Sequence, residues 1–306
     1  MKVALFTILL TFLSIQGFNQ SYELAFSYYE SGKGKYDSKD YQGAIEDYTK
    51  AIELQPDYID AYLNRGDTKM MLNDYKGAIA DYTKVIELYP EYAHVYLTRG
   101  YAKSMLEDYK GALVDCKKAI ELQPDYAFAY YNIGFIKGLI NNHRGAIADY
   151  SKAIELQYDY AESYFYRGNS YGALNDFSRA IADYNKAIEF YPDYTEAYLG
   201  RGFTKSKLND HRGAIADYSK AIELQPDYAD AYLNRGYNKI MLNDYKGAIA
   251  DYTKVIDLMP DNSDAYYNRG LVKITLNQKD SGCLDLSKAG EMGFSAAYAK
   301  IRIHCN

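Results

Sequence analysis

The chain has 306 residues with 35 basic and 41 acidic side chains, which gives a net charge of −6. A protein that binds nucleic acid needs a clustered basic surface, so this balance predicts that the chain binds neither nucleic acid nor anionic membranes. The length would be large for one compact core, but an array of repeats grows in one dimension and needs no second domain.

The first 20 residues differ from the rest of the chain. Met1 and Lys2 precede an apolar run over residues 3–15, and a polar stretch follows up to Gln20. The run is too short for a helix that crosses a bilayer, which takes about 20 residues. The pattern predicts a secretory signal peptide over residues 1–20 and export of the mature chain, without a membrane span, to the periplasm or the exterior. The alternative is an apolar helix that caps the first repeat, because the cleavage region fits a small-x-small pattern poorly.

From residue 21 onward, glycine and proline recur with a period of 34 residues. All six prolines occupy one position of this period: Pro56, Pro90, Pro124, Pro192, Pro226 and Pro260. A glycine occupies a second position in every repeat: Gly32, Gly66, Gly100, Gly134, Gly168, Gly202, Gly236 and Gly270. The repeats begin at Ala25, Ile59, Ala93, Ala127, Ala161, Thr195 and Ala229, and a degenerate eighth begins at Ser263. The period predicts seven stacked repeats over residues 21–262, followed by the degenerate repeat and a C-terminal cap over residues 263–306.

Positions in each repeat are numbered from 1 to 34, and the second repeat illustrates the pattern. Apolar spacing predicts a first helix, A, over about 59–72 and a second helix, B, over about 75–88. Asp74 is the expected N-cap of helix B, and Pro90 prevents that helix from continuing. Gly66, at position 8, lowers helix propensity by roughly 1 kcal/mol, so the recurrence of glycine there predicts that helix B approaches the backbone of helix A at this position.

These residues resemble the tetratricopeptide repeat (TPR) family. Tyr62, Gly66, Ala78, Tyr82 and Pro90 align with the family positions one by one, and the match covers nearly all of the chain from residue 25. The resemblance implies an all-α fold, a right-handed α-solenoid of antiparallel helix pairs with about eight 34-residue repeats plus a C-terminal capping helix. It also implies a concave groove, lined mainly by the A helices, that binds a protein or peptide.

Two departures from the family pattern are systematic. Lys69 and its equivalents replace a family tyrosine at position 11. Arginine replaces a small apolar residue at position 7 in six repeats: Arg65, Arg99, Arg167, Arg201, Arg235 and Arg269. Aspartate recurs at position 23: Asp47, Asp81, Asp115, Asp149, Asp183, Asp217, Asp251 and Asp285. The two series predict a ladder of ion pairs, and the alternative is a set of separately solvated charges. Ile133 interrupts the arginine series.

The sequence gives no sign of an enzyme or of a cofactor. His143 and His211 occupy position 17, where other repeats carry tyrosine or phenylalanine, so we interpret them as packing residues. Asp and Glu follow the repeat instead of converging on one cleft, and no metal-ligand spacing occurs. Cys116 replaces the tyrosine at position 24 and is predicted to be a buried free thiol.

The last two cysteines lie in the predicted cap. Cys283 lies near the start of a short helix over about 281–291, and Cys305 ends a final helix over about 295–304. In an antiparallel hairpin those two ends meet. An exported protein folds in an oxidising compartment, so we expect a disulfide that fixes the end of the array.

Positions 2, 5, 6, 9, 12 and 13 of helix A should face away from helix B and line the groove. Aromatic residues are concentrated there in the third to sixth repeats, and acidic residues recur at position 2. The predicted partner-binding residues are Asp60, Asn64, Asp67, Tyr101, Phe128, Tyr131, Asn132, Phe135, Glu162, Phe165, Tyr166, Asn169, Glu196, Phe203, Asp230, Asn234, Tyr237, Asp264 and Asn268. We expect a partner with apolar or aromatic anchors and basic flanks, not an acidic C-terminal tail. The alternative is that the aromatic side chains only pack between successive A helices.

Three functions remain open at the level of sequence. The first is a non-enzymatic scaffold that binds a protein or peptide in its groove, as the resemblance implies. The second is a structural or assembly protein of the cell envelope that acts through its convex or edge surfaces. The third is an unusual enzyme or an enzyme-recruiting subunit.

Overall fold

A computed structural model describes residues 2–157 and 159–305, with side chains from Gln20 onward. The predicted signal peptide thus lies outside the described side chains, apart from Gln20, and stays a prediction. The regular structure of the described residues is helical throughout. Its helices are α1 Lys2–Asp37, α2 Tyr41–Leu54, α3 Ile59–Met71, α4 Tyr75–Leu88, α5 Ala93–Met105, α6 Tyr109–Leu122, α7 Ala127–Leu139, α8 His143–Leu156, α9 Ala161–Ala173, α10 Phe177–Phe190, α11 Thr195–Lys207, α12 His211–Leu224, α13 Ala229–Met241, α14 Tyr245–Leu258, α15 Ser263–Thr275, α16 Lys279–Glu291 and α17 Ala296–His304.

The chain divides into two compact bodies, one up to Asn142 and one from His143. In the N-terminal body each of the helices α1 to α7 packs against the next in chain order. The C-terminal body repeats this arrangement from α8 to α17. Within each body, an A helix and the B helix that follows it are joined by a short turn and form an αα-hairpin. The expected all-α solenoid of helix pairs is confirmed.

Local signals fix where the helices begin and end. Asp74 caps α4, since its carboxylate accepts a hydrogen bond from the backbone nitrogen of Gly77 at 3.0 Å. Asn73, one residue earlier, has a φ of 59°, in the left-handed region that asparagine tolerates better than most residues. All eight repeats adopt this conformation at the same position, which is asparagine in six of them. Helix α4 ends at Leu88, two residues before Pro90, as predicted.

Five of the position-8 glycines make room for a tyrosine ring. A Cβ added to Gly66 would lie 2.7 Å from a ring carbon of Tyr82, the position-24 residue of α4. The prediction that helix B approaches the backbone of helix A at Gly66 is therefore confirmed, and the ring makes the contact. At Gly100 the nearest atom is instead the carbonyl oxygen of Ala112 at 3.1 Å, because Cys116 replaces the tyrosine and the two helices meet there directly.

The predicted ladder of ion pairs is present. Arg65 donates from Nη2 and Nε to the two carboxylate oxygens of Asp81, at 2.6 and 3.0 Å, and Lys69 contacts the same carboxylate at 2.7 Å. The Arg65 guanidinium also lies over the Tyr62 ring and donates to Thr49 of the preceding repeat. The five other arginines form the same bidentate pair. These aspartates are buried, so the alternative of solvated charges is wrong for them.

The C-terminal cap is covalently closed. A disulfide joins Cys283 in α16 to Cys305 after α17, with a Cα–Cα separation of 5.8 Å. Cys116 is free and fully buried in the N-terminal body, and burial raises the pKa of its thiol to about 12. Within the described part of the chain, no helix is both long and apolar enough to cross a membrane.

Candidate ligand-binding face

The A face is the surface formed by positions 2, 5, 6, 9, 12 and 13 of the A helices, and each body has its own. Seven of its position-2 side chains are exposed: Phe26, Asp60, Phe128, Glu162, Glu196, Asp230 and Asp264. Five of these are carboxylates, and the ion pairs of the described residues all involve other groups. This edge of the A face therefore carries negative charge that no internal cation neutralises.

Positions 5 and 6 serve packing as well as surface. The half-buried Phe165 ring lies 4.9 Å from Tyr194 and 5.0 Å from Tyr166, measured between ring centroids, so it belongs largely to the packing of the repeats. Asn132 is buried, and its amide nitrogen donates to the carbonyl oxygen of Phe128 at 2.7 Å. Asn132 is therefore much less accessible to a partner than the exposed residues of the A face. The other position-6 asparagines are half-buried: Asn64, Asn234 and Asn268.

The A face of the N-terminal body carries a row of aromatic rings. On α7 the Tyr131 ring stacks on Phe128 at a centroid distance of 5.8 Å and on Phe135 at 6.4 Å. Tyr101 on the neighbouring α5 is 41% exposed. The predicted aromatic residues thus include both accessible and half-buried members.

Position 9 is coupled to the tyrosine at position 24 of the same repeat. The Tyr82 hydroxyl donates to the Asp67 carboxylate at 2.7 Å, and the Tyr184 hydroxyl donates to Asn169 Oδ1 at 2.7 Å. Burial raises the pKa of Asp67, and the hydrogen bond from Tyr82 opposes that shift. A polar residue at position 9 therefore satisfies a buried hydroxyl, which would otherwise have no partner.

A first cavity, of about 230 Å³, lies on the A face of the N-terminal body. Its lining residues are Lys33, Tyr36, Asp37, Tyr48, Asn64 and Asp67. The structure thus brings together two predicted site residues, Asn64 and Asp67. Lys33 contributes a positive charge that is paired with Glu30 at 3.0 Å, so this cavity is small and mixed in charge.

A second cavity, of about 450 Å³, lies on the A face of the C-terminal body, and we call it the α9/α11/α13 cavity. It is lined by Asn169, Gly172, Ala173, Phe177, Tyr184, Leu199, Gly200, Phe203, Thr204, Tyr218, Tyr228, Asp230 and Asn234. Four of these were predicted from the sequence: Asn169, Phe203, Asp230 and Asn234. Its volume lies within the range of small-ligand sites, about 300–1,000 Å³.

The α9/α11/α13 cavity contains a buried hydroxyl without a partner. Tyr218 is 1% exposed, and its hydroxyl makes no hydrogen bond. Position 9 of its repeat is Phe203, which cannot accept the bond that Asn169 accepts one repeat earlier. Tyr252 is in the same situation in the next repeat, where position 9 is the exposed Tyr237, but Tyr252 is not among the residues that line this cavity.

The mouth of this cavity is acidic. Burial raises the pKa of the Tyr228 hydroxyl, and the carboxylates of Glu196 and Asp230 raise it further, which places both charges near this ring. The residues that line the cavity include one carboxylate, Asp230, and no lysine or arginine. Lys207 lies over the Phe203 ring at 5.0 Å, so an aromatic ring of the lining already accepts a cation.

Sequence reasoning missed several residues that line the cavity. Gly200 occupies position 6, where the other repeats carry larger side chains, and the Tyr184 ring packs against it, 2.9 Å from where a Cβ would lie. Tyr218 and Tyr228 occupy positions 24 and 34, which carry tyrosine in most repeats and so do not stand out in the sequence. The available signal was the coincidence of Gly200 at position 6 with Phe203 at position 9, which removes one side chain and one hydrogen-bond acceptor in the same repeat.

The two histidines at position 17, His143 and His211, are half-buried and are the first residues of α8 and α12. His211 Nδ1 is 2.9 Å from Asn238 Oδ1, a contact that ties α12 to α13. Among the residues that the structure describes, no group of three or more His, Cys, Asp or Glu side chains could hold a metal ion.

Comparison with known families gives matches along most of the chain. Models described as TPR repeat match residues 32–73, 205–239 and 241–275, and models described as tetratricopeptide repeat match residues 59–92, 93–126, 129–160 and 161–194. No curated protein matches the chain significantly.

Several solved structures are similar. One is YrrB, described as a TPR protein with an unusual peptide-binding site, with 25% identity and a TM-score of 0.51 over 60% of this chain and 95% of YrrB. The MamA protein has 27% identity and a TM-score of 0.50 over 57% of this chain and 95% of MamA. A tetratricopeptide repeat protein from Parabacteroides merdae ATCC 43184 covers 83% of this chain and 99% of its own, with 19% identity and a TM-score of 0.62, and shows the fold alone.

Proposed function

We propose, since this chain belongs to the tetratricopeptide repeat family, that it is a non-enzymatic scaffold whose A face binds a segment of a partner protein. The observation that carries the proposal is the combination of exposed aromatic rings with exposed, unneutralised carboxylates on that face. Aromatic side chains anchor ligands well, and complementary charge selects among them. YrrB, a similar protein, is described as having a peptide-binding site.

The partner segment carries apolar or aromatic anchors with basic flanks. An acidic C-terminal tail would meet the position-2 carboxylates and be repelled. We further propose that the mature chain acts in the periplasm or outside the cell after removal of residues 1–20. The disulfide between Cys283 and Cys305 is consistent with an oxidising compartment.

A displayed library of random 12-residue peptides tests the binding function directly. The library is selected on the immobilised chain, and recovered sequences are expected to be enriched in Arg, Lys and aromatic residues. Binding of the recovered peptides should weaken as salt rises, because the carboxylates involved are exposed. Recovery of acidic peptides would contradict the partner chemistry. Failure to recover any peptide, together with self-association of the chain, would favour the assembly function instead.

A matched pair of variants locates the binding surface. The first neutralises four A-face carboxylates: Glu162→Gln, Glu196→Gln, Asp230→Asn and Asp264→Asn. The second neutralises four carboxylates on B helices, each of which is exposed and pairs with a lysine three residues earlier: Glu121→Gln, Glu155→Gln, Glu189→Gln and Glu223→Gln. Both variants remove the same charge from the chain. Only the first should lose the recovered peptides, and equal losses would show that net charge alone attracts them.

A further inference from the structure

The α9/α11/α13 cavity combines three features. It has aromatic walls, a buried tyrosine hydroxyl without a partner, and a carboxylate among its lining residues. We infer that it receives the side chain of an arginine from the bound partner. This inference rests on the proposed peptide-binding function and assigns one subsite within it.

The buried hydroxyl argues against a purely apolar occupant. A hydrocarbon side chain would fill the space beside Tyr218 and leave its hydroxyl unpaired in a dry site, at a cost of about 1–3 kcal/mol. A ligand group that donates hydrogen bonds can pair with the lone pairs of the hydroxyl oxygen, and the rotatable hydroxyl hydrogen can then turn toward an oxygen atom of the same partner segment. The Thr204 hydroxyl is already committed to the carbonyl oxygen of Gly200 at 2.8 Å, and the amide nitrogen of Asn234 to the carbonyl oxygen of Asp230 at 2.8 Å. The donor groups of these two side chains are thus used within the chain, while their oxygen atoms remain available to accept hydrogen bonds from a ligand.

The aromatic walls and the carboxylate argue for a cation. Phe177, Phe203 and Tyr228 present ring surfaces around the cavity, and rings attract a positive charge within about 6 Å. Asp230 supplies the counter-charge, and the described ion pairs do not include it. A cation with an apolar stem satisfies both surfaces, because the stem contacts the rings while the charged head reaches the carboxylate.

Arginine fits better than lysine. Its guanidinium is planar, stacks on rings, holds less hydration water than an ammonium and carries five donors for several acceptors at once. The chain itself places an arginine over a tyrosine in six repeats, at 5.4 to 5.7 Å from the ring centroid.

Four small probes test the inference on the full chain. Nα-acetyl-arginine N-methylamide is titrated in parallel with its lysine, phenylalanine and leucine counterparts, and binding is followed by NMR of ring-labelled tyrosines. The arginine probe should bind most tightly and shift the Tyr218 and Tyr228 signals. Tighter binding of the phenylalanine or leucine probe would overturn the inference. This ranking uses the unaltered chain and so does not depend on the folding of any variant.

Two pairs of variants identify the contacts. Tyr218→Phe should lower the affinity for the arginine probe about tenfold, the loss expected for a charge-assisted hydrogen bond. Asp230→Asn should lower this affinity about threefold. The matched controls are Tyr252→Phe, which removes an equally buried unpaired hydroxyl outside the cavity, and Asp264→Asn at the same position of the next repeat. Control substitutions that lower the affinity for the probe as much as the test substitutions would overturn the assignment.

The subsite and the proposed function can fail separately. If library peptides bind and their affinity does not change in Tyr218→Phe, the arginine subsite is refuted while the proposed function stands. If the probe binds but no library peptide does, the proposed function is refuted.

Discussion

The position-24 tyrosines offer a test of how much a buried hydroxyl contributes to the stability of this fold. Tyr82, Tyr184 and Tyr252 occupy the same repeat position and are all buried. Their hydroxyls differ in one respect. Tyr82 donates to a carboxylate, Tyr184 donates to a neutral amide oxygen, and Tyr252 has no partner. Replacing each by phenylalanine removes one oxygen atom and leaves the ring in place.

The expected losses follow the acceptor. Tyr82→Phe should lower the free energy of unfolding by about 2 kcal/mol, because a bond to a charged group contributes about 1.5–3 kcal/mol. Tyr184→Phe should cost about 1 kcal/mol, the usual value for a neutral pair. Tyr252→Phe should leave stability unchanged or raise it by up to about 1 kcal/mol, since it removes an unsatisfied buried group.

The loss in the Tyr82 variant should also depend on pH. Burial raises the pKa of Asp67 above the ordinary value of 3.8, and the hydrogen bond from Tyr82 opposes this rise. Without the bond the folded-state pKa rises further, so the folded chain binds a proton that the unfolded chain releases. Stability is then lost as the pH rises from the unfolded pKa through the folded pKa, and the gap between variant and parent should widen from about pH 4 to about pH 7.

Urea denaturation followed by circular dichroism at both pH values measures these differences. Because arrays of repeats need not unfold in one step, amide exchange within the substituted repeat provides a local measurement. Equal losses in the Tyr82 and Tyr252 variants would refute the reasoning, since hydroxyl partnership would then not set the energy. A Tyr82 loss that is the same at both pH values would contradict the assignment of the effect to Asp67.

Three further outcomes are expected. Gly66→Ala should destabilise the chain by about 1–3 kcal/mol through its clash with a tyrosine ring, whereas Gly34→Ala, which meets nothing within 4 Å, should stabilise it by about 0.5–1 kcal/mol, as urea midpoints will show. Asp251→Asn should lower the free energy of unfolding by about 3–5 kcal/mol, because it leaves two partly buried cations without their buried counter-charge. Glu87→Gln, at an exposed ion pair, should lower it by less than about 1 kcal/mol. Similar losses in both variants would show that the ladder is solvated. Reduction of the disulfide, which spans 22 residues, should speed amide exchange in α16 and α17, and unchanged rates there would show that packing alone holds the cap.

The parts of the fold that sequence predicted are those fixed by local chemistry or by a constant spacing. Asp74 and Pro90 set helix boundaries through their own backbone neighbours, and the offset between Arg65 and Asp81 repeats in each arginine-containing repeat. The approach of helix B to the backbone of helix A at Gly66 could be predicted because the glycine recurs, but the spacing does not encode that a tyrosine ring makes the contact. The α9/α11/α13 cavity was missed because its lining residues come from three repeats, and no pattern within one repeat shows that they meet.

The hydrogen bonds of the position-7 arginines also cross from one repeat to the one before. Arg99 bonds to Thr83, Arg201 to Asn185 and Arg235 to Ser219, so threonine, asparagine and serine all serve as the acceptor at position 25. In the third repeat position 25 is Lys117, and the following position 7 is Ile133, so both halves of the bond are replaced together.

This interchangeability has a consequence for how the gene can change length. Excision of residues 195–228 would bring Asn185 against Arg235 and leave that arginine with an acceptor of the same kind. Duplication of any arginine-containing repeat except the third, which has Lys117 at position 25, would likewise supply the new arginine with a suitable oxygen from the copy before it. Insertions and deletions in steps of 34 residues therefore preserve the polar connections of the array, except at the junction of Lys117 and Ile133, where a transplanted arginine would meet a second positive charge.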